Sequence, residues 1–167
     1  MTKLLIDGIE VDVPAEYTVL QACEAAGVEV ALELPEVAVE VATEDLTIRG
    51  LDRNEVILDG EFELDNGFRM LETDGVAIEN ITARNYTSNG FYWSGVTGYR
   101  GSYLTAYRNG DYGIYAFDSV SGQLDNSLGS GSPDAGFYVG ECYPCDTVLE
   151  NLVSEYTYPQ SVADRVN

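Results

Sequence analysis

Asp118 and Glu141 stand 23 residues apart, and Asp146 follows shortly after. Two carboxylates held about 5 Å apart, as neighbouring rungs of a repeat would hold them, can share a proton as an acid/base pair or bind Ca²⁺ together with backbone oxygens. Acidic residues at turns also act simply as solvated caps. Asp111 and Asp134, again 23 apart, pose the same alternatives. Arg69, Tyr92, Tyr115 and Tyr138 recur at that interval, with Phe117 beside them. Such a stripe offers ring faces for sugars to stack on and hydroxyls to bond them. It also stabilises stacked strands without any ligand. Cys142 and Cys145 form a C-x-x-C pair with three outcomes: a local disulfide, a metal site completed by Asp146 or Glu141, or free thiols.

The bulk composition narrows these chemistries. The 167 residues carry 29 acidic and 8 basic side chains, a formal charge of −21, and no histidine. His-based catalysis is therefore absent. A surface of that sign repels phosphate backbones and anionic lipid, which argues against nucleic-acid and membrane-surface partners. No apolar run reaches membrane-spanning length. The opening MTKLLIDGIEVDVPAEY interrupts its apolar residues with Asp7, Glu10 and Asp12, unlike a secretory leader, so a cytoplasmic location is expected.

A repeat must position the candidate residues. Gly67, Gly90, Gly113 and Gly136 recur every 23 residues, each followed by an apolar residue: Phe68, Phe91, Ile114 and Phe137. Two positions on come Met70, Trp93, Ala116 and Val139, which makes an in-out-in strand in every coil. The segments ENITARN, SYLTAYRN and DNSLGSGS read as a second strand per coil, with Ile81, Leu104 and Ser127 in register. Asn80, Tyr103, Asn126 and Asn151 form a ladder expected at a corner, where Asn tolerates left-handed backbone angles. The last interval lengthens to 25 through two extra residues around ECYPCD. Upstream, DLTIRG, NEVILDG and EFELDNG read as short strands of a less regular first coil. The expected fold is all-β: a right-handed single-stranded parallel β-helix of about five coils over residues 45–156.

From about Glu44 to Tyr156, runs such as LTIRGLDRNEVILDGEFELDNG and GVAIENITARNYTSNGFYWSGVTGYRGSYLTAYRNGDYGIYAFDS resemble exported right-handed β-helix-repeat proteins of the pectate-lyase-like superfamily. That resemblance implies the fold, and it brings polysaccharide-acting enzymes and periplasmic accessory proteins as relatives. Residues 1–30, TKLLIDGIEVDVPAEYTVLQACEAAGVEV, are similar instead to the N-terminal ferredoxin-like segment found in the iron–sulfur part of NADH-quinone oxidoreductase. They read as a β-hairpin followed by a helix with Val19, Leu20 and Cys23 on one face, placed to cap the first coil. Cys23 alone cannot hold an iron–sulfur cluster, which takes four ligands, so no such cofactor is inherited. Residues 31–44 read as connecting strands and 157–167 as a tail outside the repeat. The chain thus looks chimeric.

Three functions are expected from this reading. The first is a non-catalytic solenoid that binds a polysaccharide through Tyr92, Tyr115, Tyr138 and Phe117, or Ca²⁺ through Asp118, Glu141 and Asp146. The second is a weak polysaccharide-active enzyme with Asp118 and Glu141 as catalytic groups. Lyase chemistry is disfavoured, because the nearest bases are Arg100 and Arg108. The third is a structural or artificial chimera without selected activity.

Overall fold

The computed structural model describes residues 2–6, 9–13, 26 and 37–156, and every regular element among them is a strand. Two strands, β1 (Thr2–Ile6) and β2 (Ile9–Val13), form the expected antiparallel hairpin. The helix expected around Val19, Leu20 and Cys23 lies outside the described residues.

Five coils follow. The first holds β3 (Val37–Val41), β4 (Thr47–Gly50) and β5 (Ile57–Asp59). The second holds β6 (Asn66–Leu71), β7 (Ala77–Glu79) and β8 (Thr82–Arg84), and the third β9 (Asn89–Ser94), β10 (Arg100–Ser102) and β11 (Thr105–Tyr107). The fourth holds β12 (Tyr112–Phe117), β13 (Gln123–Asp125) and β14 (Leu128–Ser130), and the fifth β15 (Ala135–Gly140), β16 (Val148–Glu150) and β17 (Val153–Glu155). Like strands stack in parallel into three sheets: a long-stranded sheet from β3 to β15, a second from β4 to β16, and a third from β5 to β17. The 23-residue interval holds across the middle coils, as in Phe68↔Phe91 and Ile114↔Phe137. It lengthens only at the ends, as in Val39↔Phe68 and Gln123↔Val148.

Two readings of the sequence are corrected. Each coil has three strands, not two, because ENITARN and its equivalents bend between β7 and β8, with Asn80 at φ 57°. EFELDNG is not a strand: Glu61 and Phe62 sit at φ 54° and 58°, and β6 begins only at Asn66. The first rung of the long sheet, β3, falls within 31–44.

The bends follow one rule. Apart from Glu61 and Phe62, every positive-φ residue described falls on one of four ladders. Glu72, Gly95, Asp118 and Glu141 form the first, and Asp45, Gly75, Gly98, Ser121 and Asp146 the second. Asn80, Tyr103, Asn126 and Asn151 form the third, as the spacing predicted, and Asn85, Arg108, Gly131 and Tyr156 the fourth. In the first four coils each passes its N–H to the coil above, as in Asn80 N to Ser102 O at 2.9 Å and Asp118 N to Gly140 O at 2.9 Å. One left-handed residue per corner reverses the chain without losing the hydrogen-bond ladder.

The coils enclose an apolar interior. Phe68, Phe91 and Ile114 are fully buried, as are Met70, Trp93 and Ala116, and the Phe68 and Phe91 rings stack 5.7 Å apart. Gly at 90 and 113 allows the sheets to close: a Cβ there would meet the carbonyl oxygen of Gly113 or Gly136 at 2.7 or 2.5 Å. At the corner into the long sheet, buried amides do the same work as side chains. Asn89 Nδ2 donates to Asn66 Oδ1 at 2.8 Å, and Asn109 Oδ1 accepts the Tyr86 N–H at 3.2 Å. On the outer side of the second sheet, Arg49 pairs with Glu79, Glu79 with Arg100 (3.5 Å), and Arg100 with Asp125 (3.9 Å). Alternating charge lets two buried carboxylates keep partners.

The two ends differ. Strand β1 pairs antiparallel with β4, Leu5 opposite Arg49, and so covers the open edge of the second sheet. At the far end, Leu149 is 53% exposed, whereas Leu124 one rung below it is fully buried.

The corner rule is testable by two opposite substitutions. A Cβ on Gly98, φ 73°, would meet nothing within 4 Å, so Gly98→Ala tests backbone strain alone. It should cost about 1 kcal/mol. Ser121 occupies the next rung of that ladder at φ 54°. Ser121→Gly should therefore raise stability, by roughly 0.5 kcal/mol once the extra freedom of the unfolded chain is counted. Urea unfolding giving both changes the same sign would refute the rule.

Candidate functional site

The outer face of the long sheet carries a single ladder from Glu40 through Arg69, Tyr92 and Tyr115 to Tyr138. It begins as an ion pair, Arg69 Nε to Glu40 Oε2 at 2.6 Å, and becomes aromatic. Tyr92 and Tyr115 stack at 5.0 Å with 13° between planes, so they present edges and hydroxyls to solvent rather than faces. Phe117 meets Tyr115 edge-on at 5.9 Å. The flat stripe expected from the spacing is thus interrupted.

Tyr138 is the exception. Its ring stands at 82° to Tyr115, centroids 5.1 Å apart. It leans over Gly140, where a Cβ would lie 2.7 Å from the ring. Its hydroxyl donates to Glu141 Oε1 at 3.1 Å. The missing side chain at 140 leaves room for the Tyr138 ring over Gly140, with a carboxylate at its tip. Tyr112, which the sequence reading missed, completes the group by stacking on Tyr115 at 4.5 Å and meeting Tyr138 at 5.3 Å. Strict strand alternation places residues three apart on opposite faces, which hides Tyr112 from a periodicity argument.

Burial and the nearby acids raise the phenol pKa values of Tyr112, Tyr115 and Tyr138. Hydrogen bonding to Glu141 raises the Tyr138 pKa. Tyr112 is raised by burial first and then by the nearby Asp134. Tyr115 is pushed up to about 12, by burial first and then by the neighbouring tyrosines and Glu141.

Asp118 and Glu141 are neighbours on the first corner ladder, at φ 45° and 59°. Asp146 is on the second ladder, at the other end of the inserted loop, φ 48°. The residues expected to share a cation are therefore divided between two corners, and the described residues contain no group of three or more Cys, Asp or Glu able to hold a metal. Asp111 and Asp134 are adjacent through Asp134 N to Asp111 O at 3.1 Å. Cys142 and Cys145 are joined by a disulfide that spans the two-residue insertion. Of the two candidate bases, Arg100 is bound to Glu79 and Asp125 on the second sheet, and Arg108 lies 5.7 Å over the Tyr107 ring.

A second feature escaped the sequence reading. A shallow groove beside the third corner ladder is lined by Arg53, Tyr103, Asn126, Leu128, Asn151 and Val153. Arg53 Nη1 donates to Asn126 O at 3.0 Å, which fastens the irregular first coil to a corner three coils further on. Only a long-range contact, invisible to local spacing, creates this groove.

Comparison with protein-family models, with curated proteins and with solved structures yields no match to the chain.

The tyrosine environment fixes an alkaline response. The neutral phenol of Tyr115 is favoured in the fold, so its contribution is complete below pH 10. It is lost as pH rises from the ordinary value of 10 towards about 12. Tyr115→Phe should gain stability relative to the parent across that window and show no such trend between pH 7 and 9. Denaturant midpoints measured at each pH check this, and parallel pH profiles would overturn it.

Proposed function

We propose that this protein is a non-catalytic β-solenoid that binds glycan at Tyr138. The observation that carries the reading is the Tyr138 ring laid over Gly140 with Glu141 at its hydroxyl. A sugar's apolar face can rest on such a ring while its hydroxyls donate to the carboxylate. The resemblance of the coils to exported polysaccharide-acting β-helix proteins belongs to the same reading, as does a composite origin for the chain. A polysaccharide would run across the outer face of the long sheet, with the hydroxyl edges of Tyr92 and Tyr115 beside it.

Binding is favoured over catalysis because neither Arg100 nor Arg108 lies beside Asp118 and Glu141. Ca²⁺ binding is less well supported, since Asp146 is on a different corner.

One ring and one charged acceptor correspond to an affinity of about 1 mM, or roughly 4 kcal/mol. Calorimetric titration with gluco-, xylo- and galacto-oligosaccharides should detect such binding for at least one series. Tyr138→Ala should abolish it. Gly140→Ala should weaken it at least threefold by lifting the ring, whereas Asp118→Asn should leave it unchanged and no substrate should be cleaved. Failure of all three series and of glucosamine and N-acetylglucosamine oligomers to bind would overturn the reading, and turnover lost in Asp118→Asn would replace it with the enzymatic one.

A further inference from the structure

The charges around Tyr138 specify more than sugar stacking. On the outer face of the long sheet, Glu141 accepts the Tyr138 hydroxyl hydrogen bond, and Asp118 neighbours it on the corner ladder. At the other end of the strand, the Asp134 carboxylate adds to burial in raising the Tyr112 pKa, and Asp111 adjoins Asp134. The one cation on the Tyr138 ladder is Arg69, three rungs away and paired with Glu40. Three rungs span about 14 Å, more than a Debye length at physiological salt. Arg100 and Arg108 are engaged elsewhere. Among the described residues, then, the platform is an aromatic face bordered by carboxylates at both ends.

An ammonium group suits this arrangement twice. A cation within about 6 Å of a tyrosine ring is drawn to its face, and a carboxylate at the ring's edge accepts a charge-assisted hydrogen bond. A uronate would meet the opposite field. We propose that the sugar taken at Tyr138 carries a free amino group, so that the ligand class is a glycan of 2-amino-2-deoxy sugars rather than a polyuronide. This rests on the glycan-binding reading above. The amine would contact the Tyr138 ring and Glu141, and the apolar sugar face would cover the remainder of the ring.

The test titrates the intact chain with glucosamine hexamer, N-acetylglucosamine hexamer and galacturonate hexamer. The glucosamine oligomer should bind about tenfold more tightly than its N-acetylated counterpart, and the galacturonate oligomer should not bind. Because a chain of −21 attracts any polycation, two variants with the same charge change are compared. Glu141→Gln should bring the ratio close to one while N-acetylated binding survives. Glu55→Gln, in the exposed turn before β5, should leave the ratio near tenfold. Equal binding of the two hexamers, or equal effects of the two variants, would overturn the amino-sugar assignment and leave glycan binding standing. No binding by either hexamer, together with none by neutral oligosaccharides, would overturn both.

Discussion

Closing a coil in 23 residues is the constraint on which the structure depends. A chain that climbs one strand spacing per turn must reverse direction several times without breaking the hydrogen bonds to the coils above and below. From the second coil on, each corner ladder sets one residue at positive φ at the bend, which lets the strand direction change. The cost is local strain at Tyr103, Arg108 and Ser121, where side chains sit in a conformation suited to glycine or asparagine. Stacking over-determines the conformation, since every corner below the last coil is hydrogen-bonded to the coil above.

The same constraint explains where function has room. Interior positions are fixed by packing, so variation is left to the outward strand positions and to corner side chains such as Glu141. The long sheet has the most of them. On it the ladder passes from ion pair to stacked rings to one ring laid flat, and the change at Tyr138 depends on a neighbour without a side chain, Gly140. A binding platform arises by deletion, because removing a side chain beside an aromatic exposes a face that a complete row of side chains would hide.

Much of this was legible because the repeat writes the same physical requirement several times. The Phe68, Phe91, Ile114 and Phe137 ladder announces an interior face, and the asparagines at 80, 126 and 151 announce a corner. The corner of Glu72, Gly95, Asp118 and Glu141 is not written in one residue type, since any residue in the left-handed region meets the requirement. Asp118 and Glu141 therefore looked like a chemical pair when their common feature is a backbone angle. The bend at Asn80 was hidden for a related reason. One left-handed residue between two three-residue strands leaves the apolar pattern of ENITARN looking continuous. Tyr112 and the Arg53 groove were illegible because they depend on side-chain direction and on contacts between distant coils.

The buried amides carry a consequence for how the molecule ages. Asn66, Asn89 and Asn109 are each followed by glycine, the pairing in which the next residue's nitrogen most readily attacks the side-chain amide and converts asparagine to aspartate or isoaspartate. In the folded chain all three are buried, two within strands, and the attacking geometry is denied. The solenoid is in this sense a chemical preservative for its own sequence. Each conversion would leave an added negative charge inside the coil, so isoaspartate at these three sites would record how long a given molecule had spent unfolded.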